Sequence, residues 1–415
     1  MQRTGMLRRL MVTLGAALLM GVAVVASGCG SSDSSATDSS AAAPADTGAA
    51  ASTATQDPGA STTAPASGPD LSALEAKLAE FSAAPQFTHP GPPIDVASLK
   101  GKKFFVIPLA YNTEFNKLQA DATVEAGKVA GVDVEVHSTT GTPAQWQQGM
   151  ARAIQNKAAA IILQGPDPNI LVPQIRQAKA AGIPVISSHY VDVDDAAETL
   201  KKIPNLTVGV PGPFSVASRL LADYVTVASK GKAKTLYVPL DDFGALQATM
   251  KKAYEEELAK VCPDCTVTTA NTTFAKVADT PSAIQSALRR NPDIDWIVPA
   301  FDLSVPYIET ALKTMNNRTT NIASFNATSA VLKLMQQDNN PLKADVGEPI
   351  PVMGYTSLDQ AMRLALGEKP VEEPVFMRIF TPENVDEAGT PPTAVDGYGD
   401  PQEFIDGYKK LWGVG

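Results

Sequence analysis

The 415-residue sequence predicts an α/β protein with two doubly wound, parallel-sheet lobes. Short, unbroken apolar runs alternate with helix-period stretches from Lys102 onward, and the alternation starts afresh near Thr235. An unbroken apolar run marks a strand buried on both faces, as in a parallel sheet covered by helices. Strands and helices that alternate in this way require right-handed crossovers. The folded part, about 320 residues, suits two domains better than one.

In chain order, the first segment is an address. Arg3, Arg8 and Arg9 precede an uncharged run from Leu10 to Ala26, closed by Ala26-Ser27-Gly28-Cys29. A positive start, an apolar core and small residues at the end define a secretory signal. The stretch resembles the bacterial lipoprotein signal (residues 1–28), which implies lipidation of Cys29 and a body anchored outside the cytoplasmic membrane. An uncleaved anchor remains open, since about 17 apolar residues approach the lower limit of a span. Residues 29–69 hold the cysteine and a Ser/Ala/Thr/Gly/Pro/Asp-rich tether without aromatic, Lys or Arg residues. Such a composition cannot bury enough apolar surface to fold, and 40 residues of it reach about 35 Å. Residues 70–100 form a helical or irregular lead-in.

The first series begins with Phe104-Phe-Val-Ile-Pro-Leu-Ala110 as a strand, then a helix over 115–130 and the alternating Val132-Asp-Val-Glu-Val136. Trp146, Met150 and Ile154 recur every four residues on the next helix. A strand at 158–163, a helix at 170–181 ended by Gly182, and the strand Ile183-Pro-Val-Ile-Ser-Ser188 follow. After strand 205–210 and helix 214–229, the second series opens with Thr235-Leu-Tyr-Val-Pro-Leu240. It continues with helix 246–260, strand 266–270, helix 280–290, strand Trp296–Pro299, helix 304–315 and strand 321–325.

Composition excludes several functions. Removing the signal takes three Arg and no acid from a formal charge of −10, leaving −13. A surface this acidic argues against nucleic acid as a partner. No GxGxxG, P-loop, GxSxG or HExxH motif occurs, and the three His are scattered, so no enzyme activity, metal or cofactor is expected. Cys262-Pro-Asp-Cys265 follows a helix, whereas redox-active pairs begin one. A disulfide at a helix-to-strand turn is therefore the better reading of Cys262 and Cys265, in an oxidising compartment. In open parallel sheets the ligand sits beyond the strand C-termini, so two lobes imply a cleft between them.

From about Lys102 to Gly367 the chain resembles the type 1 periplasmic solute-binding proteins, in the ribose-binding-like branch. The likeness rests on Tyr111-Asn112-Thr-Glu-Phe115, on Gly165-Pro-Asp-Pro168 before Ala180-Ala-Gly-Ile-Pro-Val-Ile-Ser187, and on Asp345-Val-Gly-Glu348 with Gly354–Arg363. It implies a periplasmic binding protein-like I fold with a three-crossover hinge, delivery of a small sugar-like solute to an ABC permease, and a monomer. A sensor that presents ligand to a membrane receptor stays open as an alternative. The crossovers fall at Val210–Pro213, Gly347–Ile350 and Phe376–Ile379. The first lobe is then 101–211 plus 351–377, and the second 212–350 plus 378–415. The stripe Phe404, Tyr408 and Trp412 in the last segment is a packing face.

Residues at the strand ends are the ligand candidates: Tyr111, Asn112, Phe115, His189 and Tyr190 in the first lobe, and Phe243, Phe274, Phe301 and Asn326 in the second. Glu348 lies at the second crossover. Gln164, Asp241, Asp242, Asp302 and Asp345 occupy similar positions. Aromatic faces stack on sugar C–H surfaces while Asp and Asn bond hydroxyls. Two departures from the family pattern stand out: His189-Tyr190 replaces an Asp-Arg pair, and Phe301 replaces an Asn. A site so aromatic suits a modified sugar, a polyol or a small aromatic compound.

Overall fold

The computed structural model describes residues 70–415, apart from Pro90 and Glu373. The signal, Cys29 and the tether to residue 69 lie outside the described residues.

The first sheet contains β1 (Lys103–Pro108), β2 (Asp133–Val136), β3 (Ala160–Gln164), β4 (Val185–Asp192) and β5 (Leu206–Gly212). Before and between them run α1 (Ser72–Ser82), α2 (Glu114–Ala130), α3 (Pro143–Gln155), α4 (Val172–Ala180) and α5 (Ala196–Lys202). All pairs are parallel and the strand order is β2-β1-β3-β4-β5. The unbroken β1 run is explained by burial on both faces. Phe104 and Val106 face one core with Ile162 and Ile186, while Phe105 and Ile107 face another with Trp146, Met150 and Leu163. α2 starts directly after the β1 turn and ends on Gly131 at φ +73°, a left-handed stop that favours glycine.

The second sheet repeats the plan. α6 (Phe214–Ala228), β6 (Lys234–Val238), α7 (Ala245–Val261), β7 (Thr266–Thr269), α8 (Thr280–Arg290), β8 (Trp296–Pro299), α9 (Val305–Thr314), β9 (Asn321–Asn326), α10 (Ser329–Met335) and β10 (Leu342–Gly347) follow in order. α11 (Ile350–Ala365), β11 (Arg378–Phe380) and α12 (Pro401–Leu411) complete the chain. The order β11-β10-β9-β8-β6-β7 is parallel except for β11, which runs antiparallel to β10. Without β11, each lobe therefore has the doubly wound 2-1-3-4-5 order. Tyr237, Val298 and Phe325 pack under α6 and α7; Leu236, Ile297 and Ile322 pack under α8 and α9. Cys262 and Cys265 are bridged at the end of α7.

The chain changes lobe between β5 and α6, between β10 and α11, and between α11 and β11. The last segment departs from expectation. β11 does join the second sheet, but α12 packs on the first lobe, not the second. Its Phe404, Tyr408 and Trp412 bury against Tyr355 and Leu358 of α11. Trp412 Nε1 donates to Asp359 Oδ1 at 2.7 Å, and the Tyr408 and Thr356 hydroxyls bond at 2.8 Å. Asp359 also takes Arg363 Nε at 2.7 Å, with both side chains fully buried, so α11 offers the aromatic surface and the acceptor that the stripe needs. The lead-in is divided too. α1 lies on the second lobe through Leu78 and a 2.6 Å Lys77–Asp223 ion pair, whereas Ile94, Val96 and Leu99 join the first-lobe core.

Candidate binding site

The two sheets point their strand C-termini at each other, and a cavity of about 190 Å³ lies between them. Its first-lobe wall comes from the β1–α2 segment (Leu109, Thr113–Asn116), from Gly165 after β3, and from His189 and Tyr190 in β4. Its second-lobe wall comes from Leu240 and Phe243 after β6, Phe274 after β7, Phe301–Leu303 after β8, and Asn326 and Thr328 at the end of β9. The lobes touch across it. Glu114 Oε1 accepts the Ala330 N–H at 3.3 Å, the Tyr190 hydroxyl donates to the Phe243 carbonyl at 3.4 Å, and Thr249 donates to Asp195 at 2.9 Å. The cleft is closed in this structure.

His189 is the centre of the first-lobe wall. The β4–β5 ladder slips register after Ser187, and His189 takes φ +54°, uncommon for a residue with a side chain. The slip turns the imidazole into the cleft, where Nε2 bonds Glu348 Oε2 at 2.6 Å with both side chains buried. Its ring lies 4.8 Å from Phe115 and 4.8 Å from Phe214. From Phe214 the aromatic belt continues to Phe301 at 6.2 Å, Phe243 at 5.9 Å and Phe274 at 5.5 Å. Asp242 holds the Phe274 turn by accepting the N–H groups of Phe274 and Ala275 at 2.8 and 2.9 Å. Tyr190 completes the belt, and burial pushes its hydroxyl pKa up.

Beneath the belt lie acids. Asp302 is 2% exposed, and its Oδ2 accepts from the Thr328 N–H at 2.7 Å and hydroxyl at 2.6 Å. Desolvation pushes its pKa up to about 7 in spite of those donors. Asp345, on β10, is fully buried, and its carboxyl meets the backbone N–H of Ala327 too loosely for a well-formed hydrogen bond. Desolvation and then the charge of Asp302 hold it well above the usual carboxylate range. Asn326, at φ +130°, lines the cavity with an unpartnered Oδ1. Among the described residues that line the cavity there is no Lys or Arg.

Phe115, His189, Tyr190, Phe243, Phe274, Phe301 and Asn326 thus converge on one space. Glu348 does not line it but holds His189 from behind. Tyr111 and Asn112 are not in the wall. An isolated bridge between Ala110 and Thr140 turns this segment away. Tyr111 bonds Asp121 at 2.7 Å under the Lys117 ammonium, and Asn112 is exposed. Asn116, one helical turn on, faces the cavity instead. Gln164 lies below, donating to Thr123 at 2.7 Å. Phe214 was not singled out from the sequence, although its place directly after the Pro211-Gly-Pro213 crossover was a usable signal. Among the described residues no cluster of three His, Cys, Asp or Glu could hold a metal, and no helix is long and apolar enough to cross a membrane.

Two mirrored α/β lobes that close over one small cavity define a bilobal ligand-binding protein. Residues 104–369 match the family model described as periplasmic binding protein domain, and the chain belongs to that family. Its members bind solutes outside the cytoplasm. The fold is also that of solved ABC-transporter binding proteins. A 5-methylthioribose transporter solute-binding protein from Thermotoga lettingae is 19% identical, with a TM-score of 0.62 over 77% of this chain and 100% of that one. A glucose-galactose binding protein from Geobacillus stearothermophilus is 18% identical, with a TM-score of 0.60 over 69% and 99%. An Actinobacillus succinogenes solute-binding protein with bound D-allose is 16% identical, with a TM-score of 0.61 over 69% and 99%. No curated protein sequence matches the chain.

Proposed function

We infer that the chain captures one small, carbohydrate-like solute between its lobes and delivers it to an ABC importer, while a lipid on Cys29 keeps it at the membrane. The observation that carries this is the cavity at the facing strand ends, walled by the rings of Phe115, His189, Phe214 and Phe301. Stacking faces, together with Asn116, Asn326 and Asp302 as hydrogen-bonding groups, are the equipment of a reversible solute site. The 5-methylthioribose, D-allose and glucose-galactose named for the structural neighbours support a carbohydrate-like cargo. The apolar wall favours a second reading, a small aromatic compound.

A thermal-shift screen over sugars, polyols and small aromatics tests this, because a ligand that binds only the native state raises the melting temperature. Phe115→Ala should then cost about 1–3 kcal/mol of binding; unchanged affinity would place the solute elsewhere. Loss of uptake on deleting the permease separates an importer subunit from a receptor-presenting sensor.

A further inference from the structure

The cavity is lined by hydrogen-bond acceptors and acids, with no Lys or Arg among its described lining residues. Asn326 is 8% exposed and its Oδ1 has no donor. Asp302 lines the same space, and Asp345 lies close enough to feel its charge, with only a loose contact from the Ala327 N–H. Glu114 adds a further acid to the wall. Buried acids are ordinarily paired with a cation, yet no Lys or Arg is among the described lining residues. Phe214, Phe243, Phe274 and Phe301 supply ring surfaces beside these acids. The face of an aromatic ring is negative and attracts cations, most strongly where water is excluded.

Resting on the reading of the cleft as a solute site, we propose that the solute is an organic cation: a ring compound bearing an ammonium group, with the ring against the phenylalanines and the ammonium toward Asp302 and Asn326. The ammonium supplies the countercharge that the wall lacks, and its N–H groups satisfy the open acceptors. An anionic solute would meet Glu114 and Asp302. A neutral solute would leave an ionised Asp302 without a countercharge.

Matched probes test this by calorimetric titration of the full-length protein: glucosamine against glucose, and 2-phenylethylamine against 2-phenylethanol. In at least one pair the amine should bind about tenfold or more tightly than its hydroxyl twin, and Asp302→Asn should bring the two affinities of that pair together. Equal affinities within both pairs, no amine binding, or a preference that survives Asp302→Asn would each overturn the proposal. If Asp302→Asn fails to fold by circular dichroism, Phe301→Leu serves instead. It should weaken the amine more than its twin, and equal loss overturns the proposal. Binding of neutral sugars without any amine overturns the cation while leaving solute capture in place, whereas no solute binding of any kind overturns both.

Discussion

Asp345→Asn should make the protein more stable relative to wild type as pH rises. Asp345 sits on β10 of the second sheet, fully buried, with only a loose contact from the Ala327 N–H, and its neighbour Asp302 is an acid as well. Both native pKa values are raised, so the fold binds the protonated carboxyl more tightly than the unfolded chain does. Below about pH 4 both states are protonated and there is no penalty. As pH rises further the unfolded chain ionises while native Asp345 resists, and stability falls by about 1.36 kcal/mol per pH unit for one such group. Asp302 stops contributing near its native value of about 7, and Asp345 acts in the same direction. The wild-type and variant curves should therefore diverge as pH rises from about 5, by no more than about 1.36 kcal/mol per pH unit. Urea denaturation of wild type and variant at about pH 5 and about pH 8 measures this directly, together with the response of the neighbouring Asp302 to the substitution. Parallel stability–pH curves would refute the argument that an uncompensated acid lies under the cleft.

Three further outcomes follow from the geometry. A Cβ on Gly141, already at φ +94°, would meet Phe274 Cε1 of the opposite lobe at 2.8 Å. Gly141→Ala should therefore weaken solute binding by about 1–3 kcal/mol, an overpacking cost met only in the closed form, as read by titration. Trp412→Ala empties the α12 seat on the first lobe and strands the Asp359 oxygen, and should cost about 3–5 kcal/mol in denaturant melts. A loss below about 1 kcal/mol would mean that α12 contributes little there. Cys29→Ser should move the protein from the membrane fraction to the soluble one; retention would end the lipid assignment.

The fold was legible where chemistry is local. β1 shows as an apolar run because helices cover both its faces, and the restart near Thr235 shows because β6 opens a second sheet of the same order. Cleft residues near buried strands were legible for the same reason: Phe115 and Phe301 lie beyond the ends of β1 and β8, and His189 lies in the C-terminal half of β4. Tyr111 and Asn112 failed because the Ala110–Thr140 bridge, a contact between loops, decides where that turn points. The stripe of α12 told that Phe404, Tyr408 and Trp412 are buried but not against what. The partner, Asp359 with Tyr355, lies about 50 residues away in sequence and is brought there only by the crossover after β10. Nor could spacing show that Asp302 and Asp345, on neighbouring paths, share one buried space without a cation.

The most direct test is a crystal structure of the protein with a solute found by the thermal-shift screen. The solute should lie between the lobes, against Phe115, Phe214 and Phe301, with its polar groups at Asp302, Asn326 and His189. Solute bound outside this cavity, with the cleft empty, would contradict the account.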